Sequence, residues 1–181
     1  MKNLLFLFLI AIVLCSCNNP KPVDETPVVA EAETTPQAAE FADPSYMETG
    51  KQMFAAISSG DMDNYLKPFA DNAVYNWNNG DSIAGKPAIS AFWTKRRGQE
   101  IETLSFSNQI WLPVKVNQPQ SIEAPGVWLL AWAKVEVIYK NKKTMTQWMH
   151  WTMHFNDNNQ VDRMNQYLDT APINAAMPMT K

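Results

Sequence analysis

Residues 127–139 read VWLLAWAKVEVIY and residues 144–155 read TMTQWMHWTMHF. Both runs change character every second residue, the period of an extended strand with two unlike faces. Asn141-Lys142-Lys143 between them is turn material, so the pair predicts an antiparallel hairpin. On the first strand Ala131, Ala133, Val135 and Val137 share one face; Trp128, Leu130, Trp132, Lys134 and Glu136 share the other. On the second strand Met149, Trp151 and Met153 alternate with Trp148, His150, Thr152 and His154.

Working outward, further strands are expected at Ser105 to Val116 and at Val161 to Asp169, with a turn over Asn156 to Gln160. Pro113, Pro119 and Pro125 are expected to end the first of these early and make the following connection irregular. Upstream the pattern is helical. Pro44 suits the first turn of a helix in which Met47, Phe54 and Ile57 recur on one face, and Gly60 suits its left-handed end. Asp61 can cap a short second helix holding Tyr65, Leu66 and Phe69. Ala73 to Trp77 reads as a strand, and Asn78 to Asp81 as a tight turn into a return strand, Ser82 to Ala84. Gly85-Lys86-Pro87 opens a third helix with Ile89, Phe92, Trp93 and Arg96 on one stripe. Three helices followed by antiparallel strands is an α+β pattern.

The ends carry different information. Lys2 precedes an apolar run, Leu4 to Leu14, too short to span a bilayer as a helix but suited to a secretory leader. Leu14-Cys15-Ser16-Cys17 resembles the lipobox of bacterial lipoproteins, which implies a signal peptide over 1–16, lipidation of Cys17, and an anchor in the bacterial cell envelope. Asn18 to Asp43 holds six acids, one base and four prolines, the composition of a disordered tether, which makes 17–43 anchor and spacer and 44–181 the domain. Cys15 and Cys17 are the two cysteines of the chain. Disulfides, thiol chemistry and Cys-ligated zinc are therefore excluded from the domain. The acidic tether masks a domain close to neutral, which speaks against nucleic acid as a partner.

His150 and His154 are the two histidines, and as strand neighbours four residues apart they lie roughly 13 Å apart at ~3.3 Å per residue, too far to share one metal. No metal and no cofactor is expected. Lys95-Arg96-Arg97 ends the third helix, where cations complement the helix dipole; docking of an acidic ligand or of lipid head groups is the alternative.

The order Ser59-Gly60-Asp61, Phe69-Ala70-Asp71-Asn72-Ala73-Val74, Gly85-Lys86-Pro87-Ala88-Ile89, Phe92-Trp93 and Asn165-Gln166-Tyr167-Leu168-Asp169 resembles the nuclear-transport-factor-2-like superfamily, which includes SnoaL-like cyclases and ketosteroid isomerase. The resemblance implies a cone: a curved antiparallel sheet wrapped around three helices, enclosing an apolar pocket. Ketosteroid isomerase works with a tyrosine on the first helix, an aspartate base on the first strand and a protonated aspartate on the penultimate strand. Counted without gaps, these positions fall on Met53, Trp77 and Trp151, and a second tyrosine falls on Trp93. A one-residue slip would bring Asn76 to the base position, and none of these side chains is a base. The isomerase mechanism is therefore not expected.

By the same resemblance Met149, Trp151, Met153, Met164, Gln166 and Leu168 point into the cone, closed by Met53, Tyr75, Trp77 and Trp93. They either fill it or line a pocket for a small apolar or aromatic ligand. The outer face would carry Trp128, Trp132, Trp148 and His150, an apolar patch that predicts a homodimer, since relatives often pair through this face. Three readings stay open: a non-catalytic ligand binder, a SnoaL-like cyclase, dehydratase or isomerase working through Tyr75 or an inward-turned His150 or His154, and an interaction module using the outer sheet.

Overall fold

A computed structural model describes residues 37–118 and 124–177. The leader, Cys17 and most of the tether lie outside the described residues.

The chain does not wait for Pro44 to enter the fold. Ala39–Phe41 forms strand β1, so the tether reading runs a few residues too far. All three residues are exposed, and Phe41 is 81% so. The strand is held by its backbone instead. It pairs antiparallel with the fourth strand, and flanking bonds join Ala42 N–H to the Pro113 carbonyl at 3.1 Å and Asn117 N–H to Ala38 at 2.9 Å. A strand stabilised this way leaves no apolar periodicity in the sequence.

Helix α1, Ser45–Ser59, buries Met53, Phe54 and Ile57. Asp43 accepts from Ser45 N–H at 2.7 Å at its start, and Gly60, at φ 83°, returns its N–H to the last turn. Helix α2, Met62–Leu66, is capped by Asp61, which accepts from Asn64 N–H. Strand β2, Phe69–Trp77, starts four residues before the expected Ala73. The short β3, Ser82–Ala84, leads to Gly85 at φ 86° and helix α3, Lys86–Lys95. A π turn, Arg96–Glu100, closes α3, with Arg96 and Glu100 paired at 3.2 Å.

Four long strands follow: β4, Ile101–Val116; β5, Gly126–Tyr139; β6, Thr144–Phe155; and β7, Val161–Tyr167. Pro113 does not end β4. Its carbonyl points to the β1 side of the strand, so its missing N–H lies on that side too and costs no bond to β5. Strand β7 stops two residues early, because Asp169 turns to cap an unforeseen helix α4, Thr170–Ala176, by accepting from Ala171 N–H at 2.8 Å. The strand order is β1-β4-β5-β6-β7-β2-β3, with β2 and β7 parallel and the other pairs antiparallel.

The hairpin that decides the fold pairs as its alternation requires, with Ala131 opposite Trp151 and Ala133 opposite Met149. Ala131, Ala133, Val135 and Val137 are buried, while Lys134 and Glu136 face solvent. Helix α1 lies close on this inner face. A Cβ added to Gly50 would stand 2.4 Å from the Trp111 ring and 2.7 Å from Leu129. The core continues through Tyr65, Phe69, Ile89, Met145, Met153 and Val161.

Candidate functional site

Between the helices and the inner face of the sheet lies a cavity of about 550 Å³. Strand alternation builds most of its wall. Met149, Trp151 and Met153 line it from β6, Met164 and Gln166 from β7, and Tyr75 and Trp77 from β2. Met53 on α1, Trp93 on α3 and Leu168 after β7 complete the set expected from the sequence, so all ten of those residues stand in one wall. The same side chains leave an open space rather than filling the cone.

Gln166 is the polar hub of the wall. Its Oε1 accepts from the Tyr75 hydroxyl at 2.7 Å and from the Trp77 ring N–H at 3.2 Å. That amide oxygen has two lone pairs, and both are occupied. Its Nε2 faces the Met149 sulfur at 3.3 Å. Burial pushes the Tyr75 hydroxyl pKa well up, against the smaller opposing pull of Trp151 and Tyr65 beside it. Burial likewise raises Tyr65, with Tyr75 adding to the shift. Both phenols are held neutral. The walls between are aromatic: Tyr75 and Trp77 centroids are 4.7 Å apart, and Trp77 and Phe92 5.2 Å.

One charged wall residue had two readings from the sequence, a helix-end cation first and a docking point for an acidic ligand or lipid head groups second. Arg96 lines the cavity, with its guanidinium 5.7 Å from the Phe92 ring centre and its Nη1 on Glu100. Its place on the stripe with Ile89, Phe92 and Trp93 was the signal that it faces inward. Arg97 instead donates to the Ser58 carbonyl at 3.0 Å, at the end of α1, so the basic cluster divides into two roles. Tyr139 is also in the wall; burial raises its pKa, and Arg96 opposes that. Asn78, Asn79, Asp81 and Ser82 contribute a polar rim, where Asn79 donates to Asp81 at 2.7 Å.

The outer face differs from expectation at one tryptophan. Trp128 is only 4% exposed, and its ring N–H donates to the Ala124 carbonyl at 2.9 Å. The end of the β4–β5 connection folds back over it. His154 secures that fold, with Nδ1 2.6 Å from Asp162 and Nε2 3.0 Å from the Pro125 carbonyl. Trp128 is thus removed from the proposed dimer face. Trp132 stacks on His150 at 4.4 Å, His150 stacks on Tyr167 at 5.4 Å, and Trp148 is 52% exposed. Both histidines therefore lie outside the cone.

No family model and no curated protein matches the sequence. Solved structures do. A proposed polyketide cyclase from Pseudomonas putida superposes with a TM-score of 0.59 at 17% identity, over 71% of this chain and 95% of its own. A nuclear-transport-factor-2-like protein of unknown function from Burkholderia pseudomallei gives 0.57 at 16% identity, over 73% and 96%. The domain has the nuclear-transport-factor-2-like fold. An epoxide hydrolase from M. tuberculosis shares this fold too, at a TM-score of 0.51 and 15% identity over 72% of this chain and 86% of its own. Within the nuclear-transport-factor-2-like cone of the present chain, the positions counted as those of the isomerase acid–base groups hold Met53, Trp77, Trp93 and Trp151, and all four are wall residues.

Proposed function

We propose that this chain is an envelope lipoprotein, anchored through Cys17, whose cone binds a small apolar or aromatic molecule without transforming it. The observation that carries the reading is the open cavity walled by Met and Trp. Its volume of about 550 Å³ lies within the range of small-molecule sites. Thioethers and indoles make an adaptable apolar lining suited to a flat guest.

Acid–base chemistry would need a titrating group at the guest. Both histidines are on the outer face, and the Tyr75 hydroxyl is committed to Gln166. Of the other titrating groups of the described wall, burial raises Tyr65 and Tyr139, and Asp81 sits at the rim bonded to Asn79; binding is the first reading, and a cyclase or isomerase working through one of these three is the second. The half-buried stack of Trp132, His150 and Tyr167 beside exposed Trp148 supports a second copy of the chain as the partner on the outer sheet.

Native mass spectrometry of the protein purified gently from its own host tests the reading. The expected result is a reproducible added mass that is lost on denaturation. Protein that repeatedly carries no added mass, and takes up none from a panel of apolar aromatics, would overturn it.

A further inference from the structure

We infer that the guest of this cone is an aromatic carboxylic acid, its carboxylate on Arg96 and its flat body among the tryptophans and methionines. The inference rests on the ligand-binding reading above and names the ligand class. It comes from a ledger of donors and acceptors in the wall. The Gln166 oxygen is saturated by Tyr75 and Trp77, while its Nε2 has only a thioether, a weak acceptor, for company. Trp93 keeps its ring N–H enclosed and without a partner. Arg96 carries five N–H groups; its ion pair engages Nη1 with a single oxygen of Glu100, the Tyr139 hydroxyl beside it can accept one more, and the rest are free for a guest. At the rim, Asn79 donates from Nδ2 to Asp81 Oδ2 and accepts at Oδ1 from the Asp81 backbone N–H, so the rim carboxylate is already turned to its neighbour through one of its two oxygens. Trp93 and Arg96 therefore offer donors to a guest, and a guest that matches them brings acceptors.

Position decides which acceptor. Arg96 and Asp81 are the charged members of the described wall, and Asp81 belongs to the β2–β3 turn. The Arg96 guanidinium is half-buried, set over the Phe92 ring, which itself follows the Trp77 ring at 5.2 Å. An aromatic surface thus leads from the Gln166 hub to a guanidinium whose planar fork suits a carboxylate held by two parallel bonds. Glu100 orients that fork and competes mildly with the guest.

The test compares a naphthalene carboxylate with the uncharged methyl ketone of the same ring, by calorimetry or tryptophan quenching, on the whole protein. The carboxylate should bind roughly tenfold to a hundredfold tighter, the range of a charge-assisted bond in a partly buried site. Arg96→Gln should bring the ratio of carboxylate to ketone affinity to about one, whatever it does to either affinity alone. Glu100→Gln should tighten carboxylate binding, and it keeps the inference exposed to refutation if the Arg96 variant folds poorly. A ketone that binds as well as the carboxylate, or a preference that survives Arg96→Gln, overturns the acid assignment and leaves the apolar pocket standing. Failure of both compounds to bind overturns the two readings together.

Discussion

Gln166→Leu tests whether the wall is organised around one amide. The substitution keeps the volume close and removes the acceptor that holds Tyr75 and Trp77. Tyr75 is 1% exposed, and losing its acceptor costs up to about 1–3 kcal/mol, less what the neighbouring Tyr65 hydroxyl recovers. Trp77 is half-buried and loses less. Together the two orphans set the loss at about 2–3 kcal/mol after allowance for the easier burial of leucine. With a urea slope of about 1–3 kcal/mol/M, the unfolding midpoint should fall by roughly 1–2 M. Tyr75→Phe alone should cost about 1 kcal/mol, since Gln166 then keeps Trp77. The double variant should lose about 1 kcal/mol less than the sum of the singles, because the second change removes a group already orphaned by the first. The assay is urea unfolding followed by tryptophan emission. A midpoint unmoved by Gln166→Leu, or strictly additive losses, would refute the hub.

Gly50→Ala should lower the melting temperature despite alanine's better helix propensity, because overpacking against Trp111 and Leu129 costs about 1–3 kcal/mol against a gain of about 0.5–1; a melt at or above the wild-type value would contradict the close approach of α1. The folded pKa values of Tyr65 and Tyr75 are raised, so their contribution is complete below the unfolded tyrosine value near 10 and is lost as pH rises above it toward the folded values. Stability measured by urea unfolding should therefore fall above about pH 10, less steeply in Tyr65→Phe; equal slopes would show that the phenol is not shielded. Trp132→Glu should convert a dimer to a monomer on size exclusion, and an unchanged elution volume argues against pairing through this face. Cys17→Ala should release the protein from membranes, whereas continued retention removes the lipid anchor.

What the sequence made legible depended on how each element is stabilised. The hairpin of β5 and β6 is held by a buried face, so its alternation is written in Ala131, Ala133, Met149 and Trp151 and its facing could be read directly. The same alternation carried the wall residues. β1 is held by backbone bonds with all three side chains exposed, and α4 presents Thr-Ala-Pro-Ile-Asn-Ala-Ala, in which Ile173 is the one large apolar residue. Neither pattern rises above its surroundings. Trp128 fails for a third reason. Its strand position does place it on the outer face, yet cover comes from Ala124 and Pro125, four and three residues before it in a proline-broken connection that periodicity does not describe.

Arg96 shows how a local rule can hide a site. A cation in the last turn of a helix already has an explanation in the helix dipole, and that explanation suffices for Lys95, which is exposed. It does not distinguish three consecutive basic residues, each pointing a different way. Arg97 reaches the end of α1, Lys95 reaches solvent, and Arg96 continues the apolar stripe of Phe92 and Trp93 into the cavity. The stripe, not the charge, was the informative property. A guanidinium carried inward on an apolar stripe must be partnered, and Glu100 and the Tyr139 hydroxyl share that task without using all five of its N–H groups. The donors left over are what the inferred carboxylate would meet, which makes this single side chain, rather than the abundant methionines and tryptophans, the one that would select among apolar guests.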